Sequence, residues 1–410
     1  MKRYYPWLMA VMGMLVLLVS NGLIVTGLTA FDESLLKEFG WSRSELKLRD
    51  LITLVLAGWM APFLGVVIDK VGPRKLILAG VALLAALYYA YAHVHSLAQL
   101  YWIHVGFAAV LVAAGLNVAV IFVSQWFVTH RGTAIGIALV GTSLGGMVFP
   151  KLGVQLMQSM DWRAAFLWET AIPLAFLVLA FLFARSPRPG GIQPWGAYKA
   201  ADDAAKGKPT TSTLPDIGYR EALRTRTFWV LAFVAMTTFF SIMAVSANLF
   251  LHMRDLGFEP AQAGNGLGLM FGMAMVGKFA FGFLADMFPA KRVFLLNLAI
   301  MAAGAFILAT LRADVLWYSL ALFGLGWGGL YTMIQLLAVN AFGLGSAGKI
   351  LGTITLLDAT TAGLGIWVTA KIFDITKSYH IAFSLICVLI VLALLTATLI
   401  RDERARLAKA

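Results

Sequence analysis

The chain has 410 residues, of which 60% are hydrophobic and only 13% charged, and its mean hydropathy is +0.84. That composition excludes a soluble globular domain, whose polar residues could not cover so much apolar surface. The single cysteine, Cys387, excludes an internal disulfide and a cysteine metal cluster. The net charge of +12 is carried by lysines and arginines concentrated in alternate loops, which fits membrane topology and not nucleic acid.

Apolar runs long enough to cross a bilayer as helices are predicted at 7–30, 49–69, 74–94, 99–125, 132–154, 164–185, 226–251, 261–285, 291–311, 315–341, 347–371 and 380–400. The first is too long for a signal-peptide core and reads as a retained helix. With the N-terminus inside, Lys2, Arg3, Lys70, Arg74, Lys75, Lys291, Arg292, Arg401 and Arg404 fall on the cytoplasmic side. Both termini are then expected to be cytoplasmic. The fold class is an all-α polytopic membrane protein of about twelve transmembrane helices in two six-helix halves, 1–185 and 226–410. Between them, 186–225 is rich in Pro, Gly, Lys and small polar residues and reads as a flexible cytoplasmic linker.

The halves repeat. GVVIDKVGPRK (Gly65 to Lys75) aligns with GFLADMFPAKR (Gly282 to Arg292) at a constant shift of 217 residues. This pairs Asp69 with Asp286 and Arg74 with Lys291, and the same shift carries Gly40-Trp41 onto Gly257-Phe258. Asp69 can accept hydrogen bonds from a helix N-terminus or pair with Arg74. Asp69, Arg74, Asp286 and Lys291 are accordingly read as a conformational gate, the plainer alternative being charge anchoring of the loops.

The Gly65-x-x-x-Asp69-x-x-Gly72-x-Arg74-Lys75 loop resembles the signature of the major facilitator superfamily, and the twelve spans and central loop extend that resemblance over the whole chain. It implies a secondary transporter working by alternating access. FGWSRSEL after the first span, DWRAAF before the sixth, RTFW opening the seventh, and a basic residue in span eight followed by Gly-x-x-x-Asp resemble the monocarboxylate transporters and the oxalate:formate antiporter relatives. The sequence departs from that pattern in three places. Span eight carries Lys278 where relatives mostly carry arginine, Ala274 stands where many animal monocarboxylate transporters have aspartate, and span eleven offers Asp358 where the oxalate type has a second basic residue.

Lys278 is the one charged residue between Ala263 and Ala285, and a lysine at membrane depth costs roughly 2.5–3.5 kcal/mol on insertion scales. Something must compensate it. Lys278 lies eight residues before Asp286 and Asp358 nine after Lys349, so both sit on the order of 12–14 Å from the cytoplasmic edge. The matched depths suggest that Asp358 neutralises Lys278 at rest and that protonation of Asp358 frees the ammonium for an anion. Glu169 in span six is a second candidate proton carrier. Spans one, four, seven and ten line the central cavity in the superfamily's fold. That nominates Asn117, Asn248, Tyr331 and Gln335 as substrate-binding groups beside Lys278; Tyr331 and Gln335, four apart, share a helix face.

The expectation is a carrier of a small organic monocarboxylate together with a proton, embedded as a monomer in a bacterial inner membrane, with no cofactor, metal or nucleic acid. Exchange or export of a larger carboxylated compound is the alternative within the class, and a non-transporting carboxylate sensor the alternative outside it. GLGWGG lies inside a span, without the strand and helix context of a nucleotide loop. Without clustered ligands or a nucleophile beside a placed base, an enzyme is not expected.

Overall fold

In hydrocarbon every backbone N–H and C=O must find a partner within the protein, which helices achieve segment by segment. The computed structural model describes residues 4–128, 130–187, 192–196, 216–343, 346–401 and 403–404, with the side chains of residues 62, 64–66, 69, 131 and 347 outside the description. Among the described residues it is helical nearly throughout, with one isolated bridge between Phe127 and Trp195. The helices are α1 (Tyr5–Asn21), α2 (Asp32–Phe39), α3 (Arg43–Met60), α4 (Leu64–Val71), α5 (Pro73–Tyr91), α6 (Leu97–Ala114), α7 (Leu116–Ser124), α8 (Arg131–Met157) and α9 (Trp162–Phe183). They continue as α10 (Tyr219–Ala222), α11 (Arg226–Asp255), α12 (Pro260–Met287), α13 (Ala290–Ala309), α14 (Leu316–Phe342), α15 (Ala347–Thr376) and α16 (His380–Ala397).

Eleven helical segments among the described residues are long and apolar enough to cross a membrane. The expected second span, 49–69, is the exception. It consists of α3 and α4 joined by a 3₁₀ turn at Ala61–Phe63, and it begins six residues early, at Arg43. Arg43, Glu45, Lys47, Arg49 and Asp50 fill its first two turns and lower its hydropathy. The first span continues through a π-turn (Gly22–Thr26) and a 3₁₀ turn (Gly27–Phe31) directly into α2. Most of what reads as an exposed loop between spans one and two is therefore helix. The fourth span breaks at Gly115 into α6 and α7.

Local signals account for the ends. Pro73 and Pro260 stand at N1, where the missing N–H is no loss. The Asp161 carboxylate accepts from the Ala164 N–H at 2.7 Å at the head of α9. Glu259 and Gln262 form a capping box at α12. Gly40 and Gly257, related by the repeat, both turn the chain with positive φ, 68° and 86°. Part of the expected flexible linker is pinned: the Trp195 N–H donates to the Trp126 carbonyl at 2.8 Å, and its ring meets Trp7 edge-on at 5.6 Å. Residues 188–191 and 197–215 of that linker lie outside the described residues, while its last stretch, 216–225, holds α10, and the Ile217 N–H donates to the Phe342 carbonyl at 2.9 Å.

The chain forms two compact units, one of Met1–Phe31 with Met60–Thr211 and the other of Asp32–Trp59 with Ser212–Ala410. In the first, α1 runs along α8, with Gly141 and Gly145 against the carbonyls of Met14 and Leu18. In the second, α12 and α14 touch backbone to backbone. A Cβ at Gly324 would strike the Met270 carbonyl, one at Gly328 the Ala274 carbonyl, and one at Gly277 the Leu325 carbonyl. Small residues are what allow membrane helices to approach this closely.

Gly328→Ala should lower the apparent melting temperature of the purified protein by several degrees, in line with about 1–3 kcal/mol of overpacking. Gly352→Ala, where a Cβ meets nothing within 4 Å, should leave it unchanged or slightly raised. Equal shifts in thermal unfolding would refute the close-contact account.

Candidate functional site

The α12–α14 contact decides where the intramembrane cation sits. Met270 faces Gly324 and Ala274 faces Gly328, so the two helices run parallel and in register. Lys278, one residue past Gly277, and Tyr331, three past Gly328, therefore lie within about 3 Å of the same depth. The Gln335 side chain hydrogen-bonds the Tyr331 hydroxyl, and Asp358 on α15 is near enough to Tyr331 to act on it electrostatically. Phe239 of α11 meets the Tyr331 ring edge-on, centroids 6.5 Å apart. The Thr361 hydroxyl, three residues past Asp358, donates to the Met236 carbonyl at 3.1 Å and ties α15 to α11.

Four of the expected residues, Lys278, Tyr331, Gln335 and Asp358, thus come from one unit, with Lys278 and Tyr331 at nearly one depth, Gln335 about 6 Å further along α14, and Asp358 within electrostatic reach of Tyr331. Lys278 is half-buried. Asp358 is 7% exposed and makes no ion pair among the described residues, so the resting pair with Lys278 suggested by matched depth is not formed here. Equal depth says nothing about helix rotation. Asn248 is fully buried, and its amide nitrogen donates to the carbonyls of Ala244 (2.9 Å) and Ile366 (3.3 Å). In this structure it fastens α11 to α15 and presents no free N–H. Asn117 belongs to the other unit and is exposed in the first turn of α7.

The two expected gate cations, Arg74 and Lys291, behave alike in the two repeats. Arg74 donates to the Ala184 carbonyl at 2.5 Å and the Phe181 carbonyl at 2.9 Å. Its repeat partner Lys291 donates to the carbonyls of Thr398 (2.6 Å) and Ile400 (2.9 Å). Each cation caps the C-terminal end of the last spanning helix of its own unit, α9 or α16, where the helix dipole and unpaired carbonyls favour positive charge. The side chain of Asp69 lies outside the described residues; Asp286 is exposed.

Sequence reading missed the densest charge cluster. At the opposite end of the second unit from Lys291, the fully buried Asp32 accepts from Lys47 and Arg49, both at 2.5 Å and both fully buried, with Asp50 at 3.8 and 3.5 Å from the same two cations. Beside it, Arg43 makes a bidentate pair with Asp255 (2.7 Å each), bonds the Tyr379 hydroxyl at 2.7 Å and lies over the Phe373 ring at 3.7 Å. Asp374 accepts from the backbone N–H groups of Arg43 and Ser44, and Arg254 pairs with Glu33 at 2.7 Å. FDESLLKEFGWSRSELKLRD looks like an ordinary polar loop because nothing in its pattern shows that Asp32 turns back onto Lys47 and Arg49, 15 and 17 residues on, or that Arg43 and Glu33 meet Asp255 and Arg254 more than 200 residues away. Among the described residues no cluster of His, Cys, Asp or Glu could hold a metal ion.

A family model for the Major Facilitator Superfamily matches residues 9–366. The chain belongs to that superfamily. Its fold agrees with a solved bacterial homologue of the human lysosomal transporter Spinster, in an inward-facing and occupied conformation, at a TM-score of 0.74 and 16% identity over 99% of this chain and 98% of that one. The oxalate:formate antiporter of Oxalobacter formigenes is 24% identical over 409 residues, covering 92% of this chain and 90% of that protein. Monocarboxylate transporter 13 of Rattus norvegicus is 24% identical over 323 residues, 77% of this chain and 70% of its own length. The MFS-type transporter hasB of Aspergillus fumigatus is 29% identical over 197 residues, and the chain spans only 42% of its length.

For this transporter the buried cluster implies a large penalty on removal of its central acid, since two buried cations would be left without it, at about 3–5 kcal/mol for breaking a buried pair. Asp32→Ala should markedly reduce the yield and melting temperature of the folded protein. Asp314→Ala, which breaks the exposed pair with Arg312, should change neither. Wild-type stability in Asp32→Ala would refute the assignment.

Proposed function

We propose that this transporter carries a small organic monocarboxylate across the membrane together with a proton, by alternating access. What supports the reading is one cation, Lys278, near the depth of Tyr331, whose hydroxyl Gln335 bonds and on which Asp358, an acid with no ion pair among the described residues, acts electrostatically. The ammonium supplies a point charge for a carboxylate, though without the bidentate fork of an arginine. The Tyr331 hydroxyl and Gln335 amide supply uncharged donors for a hydroxyl or keto oxygen. A proton on Asp358 cancels the negative charge that would otherwise repel the substrate anion at this depth, so proton and anion are carried together. One fixed cation suits a monocarboxylate better than a dicarboxylate.

A bacterial inner membrane is the setting we propose, with both termini cytoplasmic and halves 1–185 and 226–410 joined by the linker 186–225. The compact loops support the setting and the distribution of Lys and Arg the orientation. Exchange is the second reading, favoured by the match along nine-tenths of a relative whose name is oxalate:formate antiporter. Under either reading Arg74 and Lys291 act on the cytoplasmic side as helix caps within each unit.

Purified protein in liposomes should accumulate a labelled monocarboxylate when the outside is made acidic. Lys278→Gln should weaken binding about 10- to 150-fold, the loss expected for a charge-assisted contact of roughly 1.5–3 kcal/mol, whereas Lys278→Arg should retain it. Unchanged binding in the glutamine variant would remove the anchor. Asp358→Asn should lose gradient-driven accumulation and keep counterflow exchange; accumulation at the normal rate would show that the proton travels elsewhere. Obligatory exchange in the wild type, with no net uptake, would favour the second reading.

A further inference from the structure

Glu169 lies in α9, about 5 Å along the helix axis from its midpoint by the rise per residue. Its side chain is fully buried, and neither carboxyl oxygen has a hydrogen-bond partner among the described residues. Pro173, four residues on, has no N–H to give to the Glu169 backbone carbonyl, so this residue presents acceptors that its own helix does not satisfy. A buried carboxyl without a donor is costly in hydrocarbon, and natural structures rarely leave one so.

Glu169 is also among the residues lining a crevice of about 500 Å³ within the first unit, its carboxyl oxygens lying just beneath an almost wholly apolar surface. Leu15 and Val19 of α1, Leu152 and Leu156 of α8, and Ile172 and Phe176 of α9 make its apolar sides. Trp168, 65% exposed, Ala175 and Leu179 stand at its edge on the outward face of α9. Among the described residues no basic side chain lines it, and the volume falls in the range of small-molecule sites, about 300–1,000 Å³.

We propose that this crevice is a second binding site, entered from the lipid side, for a hydrophobic molecule bearing one ammonium group. The ammonium brings three N–H donors and a charge opposite to the carboxylate. The aliphatic walls take the apolar body, and Trp168 at the rim offers an indole face to a cation. The site is chemically the reverse of the Lys278 site and shares no residue with it, so its test does not depend on transport.

The probe is dansylcadaverine, a fluorescent lipophilic amine, against the purified protein in nanodiscs, with its N-acetylated neutral analogue as control. Saturable enhancement of dansyl emission is expected for the amine, with binding at least tenfold weaker for the acetylated analogue and for Glu169→Gln. Ala175→Trp, which fills the edge of the crevice and leaves the carboxyl in place, should also abolish the enhancement, and it provides the test should Glu169→Gln not fold. Equal binding of the amine to wild type and to either variant, equal binding of the neutral analogue, or no saturable binding would overturn the proposal.

Discussion

The close backbone contact between α12 and α14 is the constraint on which the candidate site depends. Gly324, Gly328 and Gly277 leave no room for a side chain between the helices, so the pair locks in one register. That register brings Lys278 level with Tyr331. Without a hydrophobic driving force between helices in lipid, packing of this kind supplies much of the specificity that water supplies to a soluble core. The same logic holds α1 to α8 in the other unit.

Charge is handled in three different ways. At one end of each unit a single cation, Arg74 or Lys291, sits on the open carbonyls of a helix terminus, and the equivalence survives although the residue type changed. At the other end of the second unit, acids and bases neutralise one another in a buried network around Asp32 and Arg43. Inside the spans stand Lys278 and Asp358 in the second unit and Glu169 in the first, each isolated in sequence by long apolar stretches. Groups at membrane depth are costly to keep, which makes them the natural centre of a functional reading.

Because Lys278 and Asp358 belong to one unit and Asp358 enters no ion pair among the described residues, the unit holds a cation and an acid apart from one another. The proposed carriage of an anion together with a proton rests on that arrangement. A tightly closed pair would instead make each charge the other's permanent ligand. Asn248 shows the opposite outcome: a polar residue in a span that the fold uses as a fastening between α11 and α15.

Hydropathy alone determined the all-helical membrane class and most of the spans, because bilayer thickness sets a length that a single segment must meet. The 217-residue repeat, the paired turns at Gly40 and Gly257, and the isolation of Lys278 and Asp358 were also legible, since each depends on residue type and spacing within one segment. The second span was blurred by the charged first turns of α3, and the helices of residues 32–48 were hidden for the same reason. Only the tertiary structure decided that Asp32 lies between Lys47 and Arg49, that Arg43 meets Asp255, and that Arg74 and Lys291 cap α9 and α16. It alone separated Asp358 from an ion pair and set Glu169 beside an apolar crevice. Those outcomes depend on helix rotation and on how separate helices meet, over separations from 15 residues for Asp32 and Lys47 to 212 for Arg43 and Asp255, which composition and periodicity do not encode.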